Sequence, residues 1–361
     1  MDWYHIANAE VLDTPALVVF PERVKENIRH AIAMTGSPAR LRPHVKTHKS
    51  PDLTRLLLAA GITRFKCATI AEAEMLAMEG APDVLLAYQP IGPKADRLTH
   101  LIKIYPYTAF SCLIDNPEAA TAMAKSFAAA GLTVPVYLDL NVGMDRTGIT
   151  PDNTAIQLYQ LAAKTPGITP VGLHAYDGHI RDTDLAERTR KCNEGFDLIS
   201  RLNQTLGLTI IAGGSPTFPI HAKRASDIQC SPGTFVYWDK GYADTFPDQP
   251  FQPAALVVTR VISKRSDTRL CLDLGHKSIA PENELSRRVF FLNGPEVKPI
   301  GQSEEHLVVE APSGHKPGDI FYGVPYHICP TVALYDRAYT IESGRLTGFW
   351  KNIARDRTLT I

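Results

Sequence analysis

The chain contains no CxxC pair, no internal repeat and no low-complexity tract, and its formal net charge is +0. Lys plus Arg equals Asp plus Glu at 38 each, which removes the electrostatic argument for nucleic acid or an anionic membrane as the main partner. The six cysteines, Cys67, Cys112, Cys192, Cys230, Cys271 and Cys329, are scattered, as expected of reduced thiols in a cytosolic protein. No stretch approaches the roughly 18 to 20 apolar residues of a membrane helix. The N-terminal MDWYHIANAEVLDTP carries Asp2 and Glu10 and lacks the basic start and long apolar run of a signal peptide. These absences lead us to expect a cytoplasmic protein acting on a small molecule.

A length of 361 residues with 44% hydrophobic and 21% charged residues fits a large globular core and two domains. From residue 16 to about 235, short apolar runs alternate with amphipathic stretches. The runs are ALVVF (16–20), LRPHV (41–45), RFKCAT (64–69), DVLLAY (83–88), TAFSCLI (108–114), VPVYLDL (134–140), PVGLHAY (170–176), LTIIAG (208–213) and DIQCS (227–231). Helices are predicted between them, including PERVKENIRHAIAMTG, with Pro21 in its first turn, and NPEAATAMAKSFAAAG, with Gly131 as its cap. The alternation predicts an α/β fold, a (β/α)8 TIM-like barrel over residues 13–248, with an open doubly wound sheet as the competitor. After Phe251 the texture becomes short alternating strands such as VVTRVISK, TRLCLDLG and EEHLVVEAP. Residues 249–361 are therefore read as an antiparallel β domain, with residues 1–12 packed against it.

The first chemically dense segment is RPHVKTHK, residues 42–49. It follows an apolar run, which in a barrel places it at the mouth where active sites are built. Lys46 is flanked by Arg42, His44, His48 and Lys49, cations that favour its neutral, nucleophilic amine. A basic cluster of this kind also serves as a solvated face or a phosphate patch. Glycine-containing loops at Gly213-Gly214-Ser215, with Thr217, and at Gly233-Thr234 follow late strands, where backbone N–H groups can point at a phosphate. Tyr237 and Asp239 follow the second loop, Tyr237 as a candidate phosphate or substrate contact.

Seven segments in order, TPALVV, RPHVKTHK, NVGMDRTGI, GLHAYDGH, GGSPTFP, SPGTFVYWD and PYHICPTVALYD, resemble the fold-type III pyridoxal 5'-phosphate (PLP) enzymes. The resemblance is to the D-threonine aldolase and D-serine dehydratase-like group, with its alanine racemase-like barrel. It implies PLP at the barrel mouth, a C-terminal β domain and a homodimer. Position by position, it implies that Lys46 carries the cofactor as a Schiff base and that Arg146 approaches the cofactor phenolic oxygen. It also implies that His174 stacks on the pyridine ring; Tyr176 and His179 follow it as candidates to face cofactor or substrate, and Gly214, Ser215, Gly233 and Thr234 are the candidate phosphate residues of the two glycine loops. Bacterial alanine racemases carry an arginine where this chain has Ser231, two residues before Gly233, and no counterpart of their C-terminal acid-base tyrosine is found. Racemisation is accordingly disfavoured.

His327 and Cys329 form an HxC after the predicted strand DIFYGV. Imidazole plus thiolate suits Zn2+ or another borderline ion such as Mn2+ better than Mg2+. In the resembled family the matching pair holds a divalent metal. A metal near PLP suits chemistry at a β-hydroxyl, so the expected activity is a lyase acting on D-3-hydroxy amino acids. Retro-aldol cleavage to glycine and an aldehyde leads, with dehydration to a 2-oxo acid and ammonia as the alternative, to which the Cys329 thiolate is similar. A non-catalytic PLP carrier is the alternative of another class.

Overall fold

The computed structural model describes residues 2–225 and 227–361. The chain forms two compact units, neither continuous in sequence: residues 29–46, 54–233 and 356–361 make one, and residues 1–28, 47–53 and 234–355 the other. This differs from the expected division at 248/249, and the reason lies in the first strand. β1 (Ala16–Val19) pairs antiparallel with β9 (Ala255–Lys264) and parallel with β15 (Arg337–Glu342). The ALVVF run, expected to open the barrel, is thus a buried strand of the other unit's sheet. All four of its residues are buried; an apolar run covered on both faces carries no alternation to say which sheet it joins.

In the first unit seven parallel strands pair in chain order: β2 (Arg64–Cys67), β3 (Asp83–Leu86), β4 (Ala109–Ile114), β5 (Val134–Leu140), β6 (Ile168–Ala175), β7 (Thr209–Ala212) and β8 (Ile228–Cys230). The helices along this stretch are α1 (Pro21–Thr35), α2 (Pro51–Ala59), α3 (Ile70–Met78), α4 (Pro93–Ile104), α5 (Pro117–Ala129), α6 (Asn153–Lys164), α7 (Leu185–Leu206) and the short α8 (Phe218–His221). Their starts follow local chemistry. Thr69, Asn116, Asp152 and Asp184 each accept a first-turn N–H, which satisfies donors a helix leaves unpaired.

The predicted strand 41–45 is the seam of the barrel. Leu41 bridges Cys230 on β8, and His44 bridges Lys66 on β2. Arg42 N donates to Cys230 O and Lys66 N to Pro43 O, each at 2.9 Å. Pro43 has no N–H to offer, so the ladder is interrupted and the segment closes the ring without becoming a regular strand. The buried Arg42 guanidinium reinforces the seam, donating to both Asp83 carboxylate oxygens at 2.7 Å and to Gln229 Oε1 at 2.7 Å.

The second unit has a mixed sheet around β1 and β9. β10 (Arg269–Leu272), β13 (Leu307–Glu310) and β12 (Lys298–Gln302) extend it on one side, and β15 and β16 (Arg345–Lys351) on the other. β14 (Ile320–Pro325) also pairs with β9, and β11 (Val289–Phe291) with β14. Apart from β1 with β15, these pairings are antiparallel. Its core joins Ile6 and Leu12 to Val18, Leu256, Val324 and Ile341, so the N-terminal residues belong to this unit. The short helices α9 (Lys240–Thr245) and α10 (Ile328–Val332) lie within it. Among the described residues no helix is long and apolar enough to cross a membrane.

Candidate active site

The carboxyl ends of the barrel strands gather most of the residues singled out from sequence. Lys46 lies in the turn Val45–Thr47 just beyond the seam, half-buried, its backbone N–H bonded to His44 Nδ1 at 3.2 Å. His174 and Tyr176 stand two residues apart at the end of β6, so their side chains share a face. The Tyr176 ring is the centre of the cluster: Lys46 Nζ lies 6.0 Å from its centroid, Lys66 Nζ 5.8 Å and the Arg146 guanidinium carbon 5.1 Å. Three basic side chains around one ring form a site suited to an anionic, flat ligand.

His174 is buried and held from both sides. Its Nδ1 bonds Asp139 Oδ1 at 2.7 Å, and its Nε2 lies 3.4 Å from Lys66 Nζ. Asp139 and His174 are register partners across β5 and β6, which explains the close pairing. Burial, then the Lys66 charge, pushes the His174 imidazole below its ordinary value. Burial opposes ionisation of Asp139, but His174 and Thr147 outweigh it and hold the carboxyl below its usual range. Lys66 and Asp139 were missed in the sequence; the available signal was a lysine inside the apolar run RFKCAT.

The two glycine loops meet. Gly233 N donates to Ser215 Oγ at 3.3 Å. A Cβ on Gly214 would stand 2.7 Å from Tyr176 Cε2, and one on Gly178 2.1 Å from the Tyr176 hydroxyl oxygen, so the ring is packed between two backbones that only glycine permits. Gly214→Ala is therefore expected to displace Tyr176 and weaken PLP binding about tenfold or more, ~1.4 kcal/mol. Equilibrium titration checks this, and unchanged affinity would separate Tyr176 from the ligand. Ser231 does not present a free hydroxyl to the site: its Oγ donates to Arg42 O at 2.9 Å and helps close the seam. His179 lies by Gly143, where a Cβ would come within 2.8 Å of its Nε2.

Beneath the Gly213 loop lies a cluster that sequence reasoning did not find. Asp177 accepts from Thr217 Oγ1 at 2.6 Å and from His221 Nε2 at 2.8 Å, and Cys192 Sγ is 3.3 Å from the same His221 nitrogen. Among the described residues, Asp177, Cys192 and His221 form a group of three with donor atoms close enough to hold a metal ion. Arg224 Nε donates to His221 Nδ1 at 3.1 Å, however, which fixes the Nε2–H tautomer and sets a cation beside the group. Burial pushes the Cys192 thiol up to about 12. The cluster reads best as a hydrogen-bonded support for the loop, since Cβ atoms on Gly213 would meet His221 and Thr217 at 2.5 and 2.9 Å.

In the other unit His327 stands at the N-cap position of α10 without a side-chain capping bond, and its Nδ1 lies 2.5 Å from Glu282 Oε1. Burial opposes its protonation, but Cys329, Asp239 and Glu282 outweigh it and raise the imidazole to about 9; a metal at Nε2 would displace that proton, with Glu282 holding Nδ1. Cys329 Sγ lies 3.2 Å from Thr47 Oγ1 and 3.7 Å from Thr234 Oγ1. The imidazole, the thiol and the backing carboxylate make a donor set that fits Zn2+ or a similar ion. Asp239 accepts from Ile328 N at 3.1 Å and from Tyr242 N at 2.8 Å, tying α10 to α9. The Tyr237 hydroxyl is buried without a hydrogen-bond partner. The predicted site residues thus fall into two groups: Lys46, Arg146, His174, Tyr176, Gly214, Ser215 and Gly233 in the barrel unit, and Thr234, His327 and Cys329 in the β unit. The chain passes between the units at Lys46–Thr47 and at Gly233–Thr234.

A closed parallel barrel with a lysine and glycine loops at its mouth, followed by a β unit, defines a class of barrel enzymes built for a phosphorylated ring cofactor. Residues 20–240 match the family model described as alanine racemase, N-terminal domain, and the chain belongs to that family. Residues 254–341 match a D-serine dehydratase-like domain. The chain is 27% identical to a D-threonine aldolase of Arthrobacter sp over 357 residues, 95% of this chain and 93% of that protein. It is 26% identical to a 3-hydroxy-D-aspartate aldolase of Paracoccus denitrificans (strain Pd 1222) over 366 residues, 96% of this chain and 93% of the relative. The solved structure of a D-threonine aldolase from Filomicrobium marinum is similar with a TM-score of 0.88 at 26% identity, covering 98% of each chain.

Proposed function

We propose that this protein is a PLP- and divalent-metal-dependent lyase that cleaves D-3-hydroxy amino acids by a retro-aldol reaction. The observation that carries the reading is the combination, in one chain, of the Lys46 cluster around Tyr176 with the His327–Cys329 pair backed by Glu282. When bound, PLP supplies an electron sink for charge developing at Cα, and the metal polarises the β-hydroxyl.

The residues divide the work accordingly. Lys46 anchors the cofactor and provides an amine able to hold or release the Cα proton. Arg146 offers a fixed positive charge to the phenolic oxygen, and His174 and Tyr176 form the wall against the ring. Gly214, Ser215, Gly233 and Thr234 provide N–H and O–H donors for the phosphate. His327 and Cys329 hold the metal, with Glu282 orienting the imidazole. D-selectivity, like the metal requirement, is drawn from likeness to the aldolases. The D-serine dehydratase-like match of the β unit and the Cys329 thiolate support the second reading, in which the Cα proton and the β-hydroxyl leave to give a 2-oxo acid and ammonia. A homodimer in the cytoplasm completes the proposal; the six cysteines are free, in keeping with a reducing compartment.

Product analysis tests the choice. With D-threonine and Zn2+ or Mn2+, glycine plus acetaldehyde is expected; 2-oxobutyrate plus ammonia would establish the dehydratase instead, and L-allo-threonine, the product of inversion at Cα, as the only product would overturn both. Activity that survives thorough chelation would remove the metal from the account.

A further inference from the structure

Lys66 has no role in that account, yet it is a lysine buried inside the barrel. Its side chain is buried, at 2% exposure, on a strand that otherwise buries Phe65 and Cys67. Its Nζ reaches the same Tyr176 ring as Lys46 and comes within 3.4 Å of His174 Nε2. Asp139 holds the other ring nitrogen of His174 at 2.7 Å. Because Asp139 takes the Nδ1 proton, Nε2 is an acceptor directed at Lys66, and the three groups form a line from carboxylate to imidazole to amine.

We propose that Lys66 is a positioning residue of the Lys46 site, keeping its amine against His174 and taking up a proton from solvent when an anionic ring ligand settles at Tyr176. The inference rests on the PLP reading above. The groups facing Lys66 are set against each other. Burial, then Lys46, and to a smaller extent Arg42 disfavour its ammonium, while Asp139 and Asp177 favour it, and together they bring it down to about 7. His174 meets it from β6, and the Arg146 guanidinium carbon lies 5.1 Å from the centroid of the same Tyr176 ring. A dianionic phosphate ester entering this group of cations adds the missing negative charge, so the ammonium is favoured in the complex. The step is Lys66–NH2 plus H+ giving Lys66–NH3+, with no other bond made or broken.

The sign follows. Below pH 7 Lys66 is already charged and binding needs no proton from it. Above pH 7 the free protein must gain one, and affinity falls as pH rises. The probe is pyridoxine 5'-phosphate, which has the ring and phosphate but no aldehyde to react with Lys46. Calorimetry in buffers of different ionisation enthalpy is expected to show uptake approaching one extra proton by the wild type at pH 8.5, relative to Lys66→Met. Wild-type affinity is expected to fall about tenfold or more between pH 7 and 8.5. Lys66→Arg, charged throughout, is expected to lose the uptake and keep its affinity at pH 8.5, a result that a purely structural role does not produce. Circular dichroism confirms folding, and the Arg variant carries the test where the Met variant does not fold. Equal proton uptake and equal pH dependence in wild type and variants would overturn the role of Lys66 and leave the PLP reading standing. Failure of the wild type to bind either pyridoxine 5'-phosphate or PLP would overturn both.

Discussion

Lys46→Ala is expected to eliminate the visible absorbance band of the PLP-loaded protein and to lower turnover by at least roughly 10,000-fold. Removing a covalently acting group from a site that works as a unit has effects of that size. The residue lies in a short turn beyond the barrel seam, half-buried, and its side chain is near the Tyr176 ring rather than in a packed core. Its loss should therefore leave the fold intact, and an unchanged thermal midpoint separates the chemical effect from unfolding. Retention of the band would move the anchor elsewhere, and Lys66, 5.8 Å from the same ring, is the first place to look.

The second large effect is expected at the metal pair. His327→Ala should keep the visible band and lose about 100-fold or more in turnover, because the polarisation of the β-hydroxyl is worth several kcal/mol. Chelation of the wild type should reproduce the loss, and metal analysis should show a lower content in the variant. Glu282→Gln, which keeps the side chain but removes the charge that orients His327 Nδ1, should fall between the two. Simultaneous loss of band and turnover in His327→Ala would instead assign the pair to folding or cofactor binding.

The barrel was legible from its period. Seven of the nine apolar runs are its parallel strands, and the Pro21 start of α1 and the Gly131 turn after α5 lie where local chemistry placed them. The remaining two runs show what the pattern omits. ALVVF is buried on both faces, and burial of that kind is common to a barrel strand and to the centre of a mixed sheet; only the pairing with β9 and β15 decides. LRPHV holds its place in the ring, but Pro43 interrupts its ladder.

The candidate site was legible where motif and position agreed, as at Lys46 and in the two glycine loops. It was not legible where the partners come from other strands. The contact of Asp139 with His174 depends on β5–β6 register, and that of Lys66 with His174 depends on the curvature that brings β2 across from β6. Likewise Asp177, Cys192 and His221 are drawn from a loop, α7 and α8, and no spacing in the chain announces them. Arg224, at 3.1 Å from His221 Nδ1, is what argues for hydrogen bonding in that cluster, whereas the Glu282 carboxylate beside His327 favours a cation.

The central claim is that Lys46 binds PLP covalently at the barrel mouth. The most direct test is to load the wild-type protein with PLP, reduce it with borohydride, digest it and locate the modified residue by mass spectrometry. The account predicts one phosphopyridoxyl group per chain, on Lys46, with the visible band abolished by the reduction. Unmodified Lys46, or label spread over surface lysines such as Lys25 and Lys103, would contradict it.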